Sequence, residues 1–313
     1  MDTARSILIA AFILGITAPP INLSVRPLWK DIVPPTYLRT AYAFDSSMMS
    51  STTVLGPVIV TSLALSSRPY LALNVVAGLM LTGGVALAMT SVSRNWIPEK
   101  KVKGQERLLK NRAIQMLMFE GCFIGFGWGV FDVAVPAFAT QENVPHLVAW
   151  IFASFGVATV IGGLLGGLVS KKLAPLLALR RAYLLWSIAC FPIAFTYPDW
   201  TMALVGASIG FLGGAVQVFY FEVLEAVRPK GSQTSSLGWI WSVEGSFMAV
   251  GAAVGGVVSE HLSPRIGLAM LPIMIFIGYI ILTIGKGRLS AANDLPTDDE
   301  DLAAMADLSD RNT

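Results

Sequence analysis

The stretch SRNWIPEKKVKGQERLLKNR, from Ser93 to Arg112, decides the fold of this chain. It holds seven basic residues and lies between long apolar segments that carry few charges. Lysine and arginine are enriched in the short cytoplasmic loops of membrane proteins, because these residues stay on the side from which the helices are inserted. We therefore expect this stretch to be a cytoplasmic loop, and its position fixes the sidedness of every other segment.

The composition is that of a membrane protein. Hydrophobic residues make up 54% of the chain, charged residues make up 13%, and the mean hydropathy is +0.65. A soluble domain of 313 residues with this composition would have too little polar surface to cover its core. The basic residues lie in short loops rather than on one face, so we expect no nucleic-acid partner. Cys122 and Cys190 lack metal-ligand spacing, and we expect no metal site.

Nine apolar segments are long enough to span a bilayer, for which a helix needs about 20 residues. Three precede the basic stretch and six follow it, at 7–23, 46–65, 69–91, 113–139, 147–169, 182–197, 201–223, 237–259 and 266–284. Basic and poorly basic connections alternate, which predicts a cytoplasmic C-terminus and an N-terminus outside. The alternative, that the first segment is a signal peptide, is disfavoured because no small-residue cleavage site follows it.

These segments divide the chain into four predicted parts. Residues 1–92 form a partial N-terminal bundle of three spans, and 93–112 form the basic cytoplasmic loop. Residues 113–285 form a six-helix bundle, and 286–313 form an acidic tail. The tail loses the apolar character of the spans, so we expect it to be disordered and cytoplasmic.

Acidic residues are unevenly distributed over the spans. The third, sixth and ninth carry none, and because they recur at every third position we expect these three to be outer support helices. The other spans should line a water-filled cavity, because ionisable groups at membrane depth are costly and usually face one. The candidates for coupling to a proton or contacting the solute are Glu120, Asp132 and Glu244. Glu120 and Asp132 differ by about 120° around their helix, which places them on different lines along it.

Other side chains could line the cavity or act in gating. Aromatic and amide groups could accept an amphipathic solute, and the candidates are Gln217, Tyr220, Trp239 and Trp241. For the two tryptophans, anchoring at the membrane interface is the competing explanation. In the second span a proline frees a backbone carbonyl and permits a kink, so the predicted gating motif is Asp45, Gly56 and Pro57. The alternative is an ordinary proline in a membrane helix.

Glycines four residues apart predict close helix packing in two spans. Small residues at this spacing let two helix backbones approach each other. The candidates are Gly162, Gly163, Gly166, Gly167, Gly251 and Gly255.

Several stretches resemble the major facilitator superfamily of secondary transporters. YLRTAYAFDSS followed by LGPVIV is similar to the start of family helix 5, and FDVAVPAFA is similar to helix 7. GSQTSSLGWIWS and VGAAVGG resemble the loop before helix 11 and helix 11 itself. The resemblance covers about residues 7–285 and implies an all-α integral membrane bundle of nine helices, three plus six, matching family helices 4–12. The first three family helices are then absent from this sequence.

The resemblance implies a multi-pass cell-membrane transporter of a small solute, with proton-coupled export the expected version. The expected partners are the solute, the lipid bilayer and the proton, and we expect a monomer without a cofactor. The alternative is an N-terminally shortened or degenerate relative that does not transport by itself. An enzyme is not expected, because the sequence has no H-E-x-x-H, nucleophile elbow or Walker loop.

Overall fold

A computed structural model shows that the described part of the chain is helical. It describes residues 70–96, 108–168, 174–229 and 231–293, together with single residues and adjacent pairs scattered between 9 and 63. No β-strand occurs among these residues. The chain divides into two compact units, the first made of residues 1–45 and 62–98 and the second of 46–61 and 99–313.

The first unit contains one long described helix, α1 (Tyr70–Met89). Its sequence is apolar on all sides, and its single buried residue is Ala72, as is typical of a helix that faces lipid. A four-residue helix, Ser91–Arg94, follows. Its N-cap is Thr90, whose hydroxyl oxygen accepts a hydrogen bond from the Ser93 amide at 3.2 Å.

The second unit contains six long helices. They are α2 (Arg112–Gln141), α3 (His146–Leu168), α4 (Pro175–Cys190), α5 (Trp200–Val227), α6 (Gln233–His261) and α7 (Pro264–Ile284). Helix α2 packs on α6 and α7, α3 packs on α5, and α4 packs between α5 and α7. The short 3-10 helix Ser290–Asn293 follows α7, and its neighbour Leu289 is fully buried, so packed structure continues past residue 285.

Polar residues set where these helices begin. The Asn111 side chain accepts hydrogen bonds from the amides of Ala113 and Ile114 at the start of α2. Asp199 caps α5 and Ser263 caps α7 in the same way. These side chains satisfy amides that have no partner inside the helix, so each helix starts at a defined residue.

Seven described helices are long and apolar enough to cross a membrane, namely α1 to α7, with α4 counted to Ala194. They coincide with seven of the nine predicted spans. This confirms the all-α membrane class. The predicted spans 7–23 and 46–65 lie mostly outside the described residues, so the count of nine stays a prediction, as does the division into four parts.

The helix boundary that differs most from the prediction is the start of α4. The span expected at 182–197 begins at Pro175 and continues through a 3-10 turn to Ala194. Proline is favoured at the first helical position, and the buried Leu179 anchors the first turns. Arg180, which falls between the predicted spans 147–169 and 182–197, therefore lies inside α4, and its Nε donates a hydrogen bond to Thr283 Oγ1 at 3.0 Å.

Candidate functional site

A buried carboxyl lies in the interior of the second unit. Glu120, in the N-terminal part of α2, is only 1% exposed. The Tyr183 hydroxyl, from α4, donates a hydrogen bond to Glu120 Oε1 at 2.5 Å. The Tyr183 ring packs edge-on against Trp186 and passes over Gly278, where an added Cβ would lie 3.0 Å from the ring. Residues of three helices therefore fix this hydrogen bond.

A second carboxyl, Glu244 of α6, lies beside the first. A Cβ added to Gly121 would lie 3.9 Å from the Glu244 Cβ, and a Cβ on Gly125 would overlap the Glu244 carbonyl oxygen. These glycines let α6 approach α2 directly next to Glu120. Glu244 is half-buried, and its carboxyl interacts electrostatically with that of Glu120.

Tyr220 of α5 completes the group. Its hydroxyl is buried and has no hydrogen-bond partner among the described residues. It interacts electrostatically with Glu120, Glu244 and Tyr183. We call Glu120, Tyr183, Tyr220 and Glu244 the carboxyl cluster. Within the part of the chain that the structure describes, neither carboxyl of the cluster forms an ion pair with a basic side chain.

Asp132 stands apart from the carboxyl cluster. It is half-buried and lies twelve residues beyond Glu120 on α2, about 18 Å along the helix axis. It has no hydrogen bond or ion pair to another described residue. The structure therefore brings Glu120 and Glu244 together and leaves the third predicted acid separate.

Of the four candidate cavity residues, only Tyr220 joins the carboxyl cluster. Gln217 and Trp239 are exposed, the latter by 46%, and Trp241 is half-buried. None of these three side chains hydrogen-bonds to the cluster within the described residues. A role in contacting the solute stays a prediction for them.

The predicted gating motif is only partly described. Asp45 is 9% exposed and accepts a hydrogen bond from Trp29 Nε1 at 3.2 Å, a partner that the sequence did not indicate. Gly56 is half-buried, and an added Cβ there would meet open space. Pro57 lies outside the described residues. The gating role of the three residues therefore stays a prediction.

The predicted packing glycines of α3 lie against α5. A Cβ on Gly162 would overlap the Phe211 carbonyl oxygen, and a Cβ on Gly166 would lie 3.0 Å from the Ala215 Cα. Gly163 is less crowded, with the nearest atom 3.7 Å away, and Gly167 has nothing within 4 Å. Helix α5 also packs on α3 through glycines at every fourth position, which are Gly206, Gly210 and Gly214.

The predicted packing glycines of α6 lie against α2 in the same manner. A Cβ on Gly251 would overlap the Phe126 carbonyl oxygen, and a Cβ on Gly255 would lie 2.9 Å from the Val130 Cα. Helix α2 also packs on α6 through glycines at every fourth position, which are Gly121, Gly125 and Gly129. In both pairs the contacting residue numbers rise together, so the paired helices run parallel.

Sequence reasoning missed two groups of residues that build this site. The four-residue spacing of the glycines in α2 and α5 was visible in the sequence and could have been found. Tyr183 carried no such signal, because it lies 63 positions from Glu120 and on a helix without acids. That helix was expected to be an outer support, yet it supplies the hydrogen bond to the buried carboxyl.

No family model matches the chain. Among curated proteins it is similar to the "Uncharacterized MFS-type transporter y4rN" of Sinorhizobium fredii, 24% identical over 83% of this chain and 67% of that protein. It is also similar to the "Uncharacterized MFS-type transporter YtbD" of Bacillus subtilis, 27% identical over 63% of this chain and 52% of the relative. Macrolide efflux protein A of Streptococcus pyogenes is 24% identical, over 80% of this chain and 63% of the relative.

Helices α1 to α7 define a multi-pass α-helical protein of the cell membrane. The relatives are all named as transporters or efflux proteins rather than as enzymes. The chain is similar to transporters of the major facilitator superfamily, which confirms the resemblance seen in its sequence. It spans between about half and about two thirds of the length of these relatives.

Proposed function

We propose that the protein is a secondary active transporter that exports a small solute in exchange for protons. The names of its relatives support transport, and one of them supports efflux. The observation that carries proton coupling is the buried Glu120 carboxyl with its Tyr183 hydrogen bond inside a membrane helix. Ionisable residues in such places are rare and mark ion pathways and proton relays.

The carboxyl cluster has the chemistry that proton exchange needs. A charged carboxylate at membrane depth is costly without a counter-charge, and Glu120 has no basic partner among the described residues. Protonation removes that cost. Glu244, which is half-buried, can meet water more readily than Glu120. A change in which side of the membrane the cluster faces would therefore let it take up a proton on one side and release it on the other.

The proposed solute is amphipathic and macrolide-like. We infer this solute class from the name of the macrolide efflux relative. Trp239 and Trp241 offer apolar rings, and Gln217 offers an amide group that can both donate and accept hydrogen bonds. The proposed orientation has the basic loops and the C-terminus in the cytoplasm, with the chain acting as a monomer.

The alternative of a chain without transport activity has less support, because the relatives are named as transporters. The two can be separated with inside-out membrane vesicles that contain the full chain. A proton gradient is generated across the vesicle membrane, and uptake of a radiolabelled macrolide is measured before and after a protonophore is added. We expect uptake that collapses with the gradient.

Two variants make this experiment specific. Glu120→Gln should lose gradient-driven uptake while the protein still reaches the membrane. Glu142→Gln changes an exposed acid at the end of α2 and should retain the uptake of the unmodified chain. Uptake no greater than in vesicles without the protein would favour the inactive alternative for this solute class.

A further inference from the structure

We propose that the Tyr220 hydroxyl is a proton relay between Glu244 and Glu120. The inference rests on the proposed function and deepens it, because it assigns a path to the proton. In this path the half-buried Glu244 gives up the proton and the buried Glu120 receives it. Tyr183 is a positioning residue that holds Glu120. Each assignment follows from burial and hydrogen bonding.

The unpartnered hydroxyl of Tyr220 is the starting observation. Buried polar groups in proteins are nearly always hydrogen-bonded, and leaving one without a partner destabilises the protein. Tyr220 keeps its hydroxyl in an apolar bundle, although it has no partner among the described residues. A phenylalanine would fill nearly the same space without that penalty. A hydroxyl retained under these conditions indicates a partner that is present only part of the time, which a shuttling proton or its water would be.

The position of Tyr220 suits a relay. It comes from α5, interacts electrostatically with both carboxyls of the cluster, and is the only member besides Tyr183 with a hydroxyl. Tyr183 already occupies Glu120 Oε1, which leaves Oε2 for a second donor. The titratable groups that interact electrostatically with Glu120 are Tyr183 from α4, Tyr220 from α5 and Glu244 from α6, with Cys122 on α2 itself. Among the described residues no titratable group from α3 or α7 interacts with it.

The proton step balances without any other reactant. The Glu244 carboxyl breaks its O–H bond and gives that proton to the Tyr220 oxygen, directly or through one water. At the same time the phenolic O–H of Tyr220 breaks, and its proton bonds to Glu120 Oε2. Tyr220 begins and ends neutral, because a hydroxyl can donate and accept at once. One proton has then moved from the half-buried carboxyl to the buried one.

The substitution Tyr220→Phe tests the relay because it removes only the hydroxyl. Its matched control is Tyr279→Phe on α7, whose ring stacks on Phe276 and whose hydroxyl lies outside the cluster. The full chain is reconstituted in liposomes with a labelled macrolide. We expect Tyr220→Phe to slow uptake driven by a pH gradient roughly tenfold, the effect of losing the hydrogen bond that the relay forms to a charged carboxylate during proton transfer. Macrolide-for-macrolide exchange, which moves no net proton, should be unchanged in both variants.

A second readout does not depend on transport. Infrared spectra of the purified chain, recorded over a range of pH, show the C=O band of each protonated carboxyl. Glu120→Gln and Glu244→Gln assign the two bands. We expect Tyr220→Phe to change the frequency and the titration of the Glu120 band, and Tyr279→Phe to leave it unchanged. If Tyr220→Phe does not fold, a 3-fluorotyrosine at position 220, which keeps the ring and the hydroxyl, serves instead and should change the same band.

The outcomes separate the two proposals. If Tyr220→Phe matches Tyr279→Phe in both the uptake and the infrared spectra, the relay is wrong even though the chain transports. If the infrared band shifts as expected while no variant moves a macrolide, the relay is supported and the proposed solute class fails. A slowed exchange reaction together with an unchanged band would instead make Tyr220 a solute contact and overturn the relay.

Discussion

The second unit contains two parallel helix pairs, α2 with α6 and α3 with α5, that pack alike and differ in chemistry. Each pair sets glycines at every fourth position against the backbone of the partner helix, and does so in both directions. Only the α2 and α6 pair carries two facing carboxyls, Glu120 and Glu244. The α3 and α5 pair is joined instead by a neutral hydrogen bond from Ser154 Oγ to the Ala203 carbonyl oxygen at 2.7 Å.

The comparison teaches that close packing and proton chemistry are separate properties of this bundle. Small residues drive association in membranes because they let backbones meet, whatever else the helices carry. In the α2 and α6 pair, the same close approach also sets Glu244 beside Glu120. Helix α5 contributes Tyr220 to the carboxyl cluster. The α3 and α5 pair therefore supplies a hydroxyl to the cluster but no carboxyl.

The largest effect should come from filling a glycine in either pair. Gly125→Ala and Gly210→Ala would each place a Cβ on a backbone carbonyl oxygen, of Glu244 and Phe155 respectively. The helices must separate, and because the overlap is with rigid backbone we expect each substitution to lower stability by about 3 kcal/mol or more. The measurement is the thermal unfolding midpoint of the purified chain in detergent.

Gly245→Ala is the matched control for both substitutions, since its Cβ would meet nothing within 4 Å. It should leave the midpoint unchanged. If only Gly125→Ala lowers the midpoint, the two pairs do not pack in the same way, and this would contradict the comparison.

A smaller loss is expected at the other end of α2. Arg265 donates hydrogen bonds to the carbonyl oxygens of Ala194 and Thr196, both at 3.0 Å, and its guanidinium lies 4.7 Å from the centre of the Phe138 ring. It joins the start of α7 to α2 and to the turn after α4. Arg265→Met should cost about 1–3 kcal/mol, because charged hydrogen bonds are lost. Arg288→Met, at an exposed position, should cost nothing measurable in the same unfolding assay.

Two serine substitutions compare the hydrogen bonding of the two helix pairs. Ser154→Ala removes the hydrogen bond between α3 and α5 and should cost about 0.6 kcal/mol, the average for such bonds inside membrane proteins. Ser259, on α6, has a buried hydroxyl without a partner among the described residues, so Ser259→Ala should be neutral or stabilising. Equal losses from both substitutions in a chemical unfolding titration would contradict this assignment.

The smallest effect concerns the N-caps of the two pairs. Hydrogen bonds from the Thr201 hydroxyl and amide lower the pKa of Asp199, which caps α5. A lowered pKa in the folded state means that the cap stabilises fully above the ordinary pKa of aspartate. The contribution is lost as the pH falls through the lowered value. Asn111, the cap of α2, is neutral and should show no such dependence.

Asp199→Asn tests this difference between the caps. Comparing unfolding midpoints at about pH 6 and about pH 3, on either side of the ordinary aspartate pKa, should show a smaller pH dependence in the variant than in the unmodified chain. Asn111→Ser, which exchanges one neutral cap for another, should leave the pH dependence as it is. An unchanged slope in Asp199→Asn would show that the cap does not contribute to it.

The sequence predicted the class of fold and two of the cluster residues for physical reasons. Long apolar segments and alternating basic loops are local signals, and they located the seven described helices. A carboxyl inside such a segment is also a local signal, and it identified Glu120 and Glu244. Helix ends were predicted less accurately, because the apolar pattern alone did not show that α4 starts at Pro175 rather than at residue 182.

Partners across the bundle could not be predicted in the same way. The hydrogen bond from Tyr183 to Glu120 depends on how α4 sits against α2, and nothing local to either residue reports it. The assumption that helices without acids only support the bundle hid Tyr183. Tyr220 was predicted to line a cavity, and the burial of its hydroxyl and its electrostatic interaction with two carboxyls depend on the packing of α5.

The most direct test of the difference between the two pairs is proton movement caused by the solute. The full chain is reconstituted in liposomes that hold a pH-sensitive dye, and a macrolide is added without an imposed gradient. We expect a proton flux that Glu120→Gln abolishes. Glu225→Gln, which removes an acid of α5 that pairs with Arg228, should leave that flux intact. A flux that survives Glu120→Gln, or that Glu225→Gln abolishes equally, would contradict the assignment of proton exchange to the α2 and α6 pair.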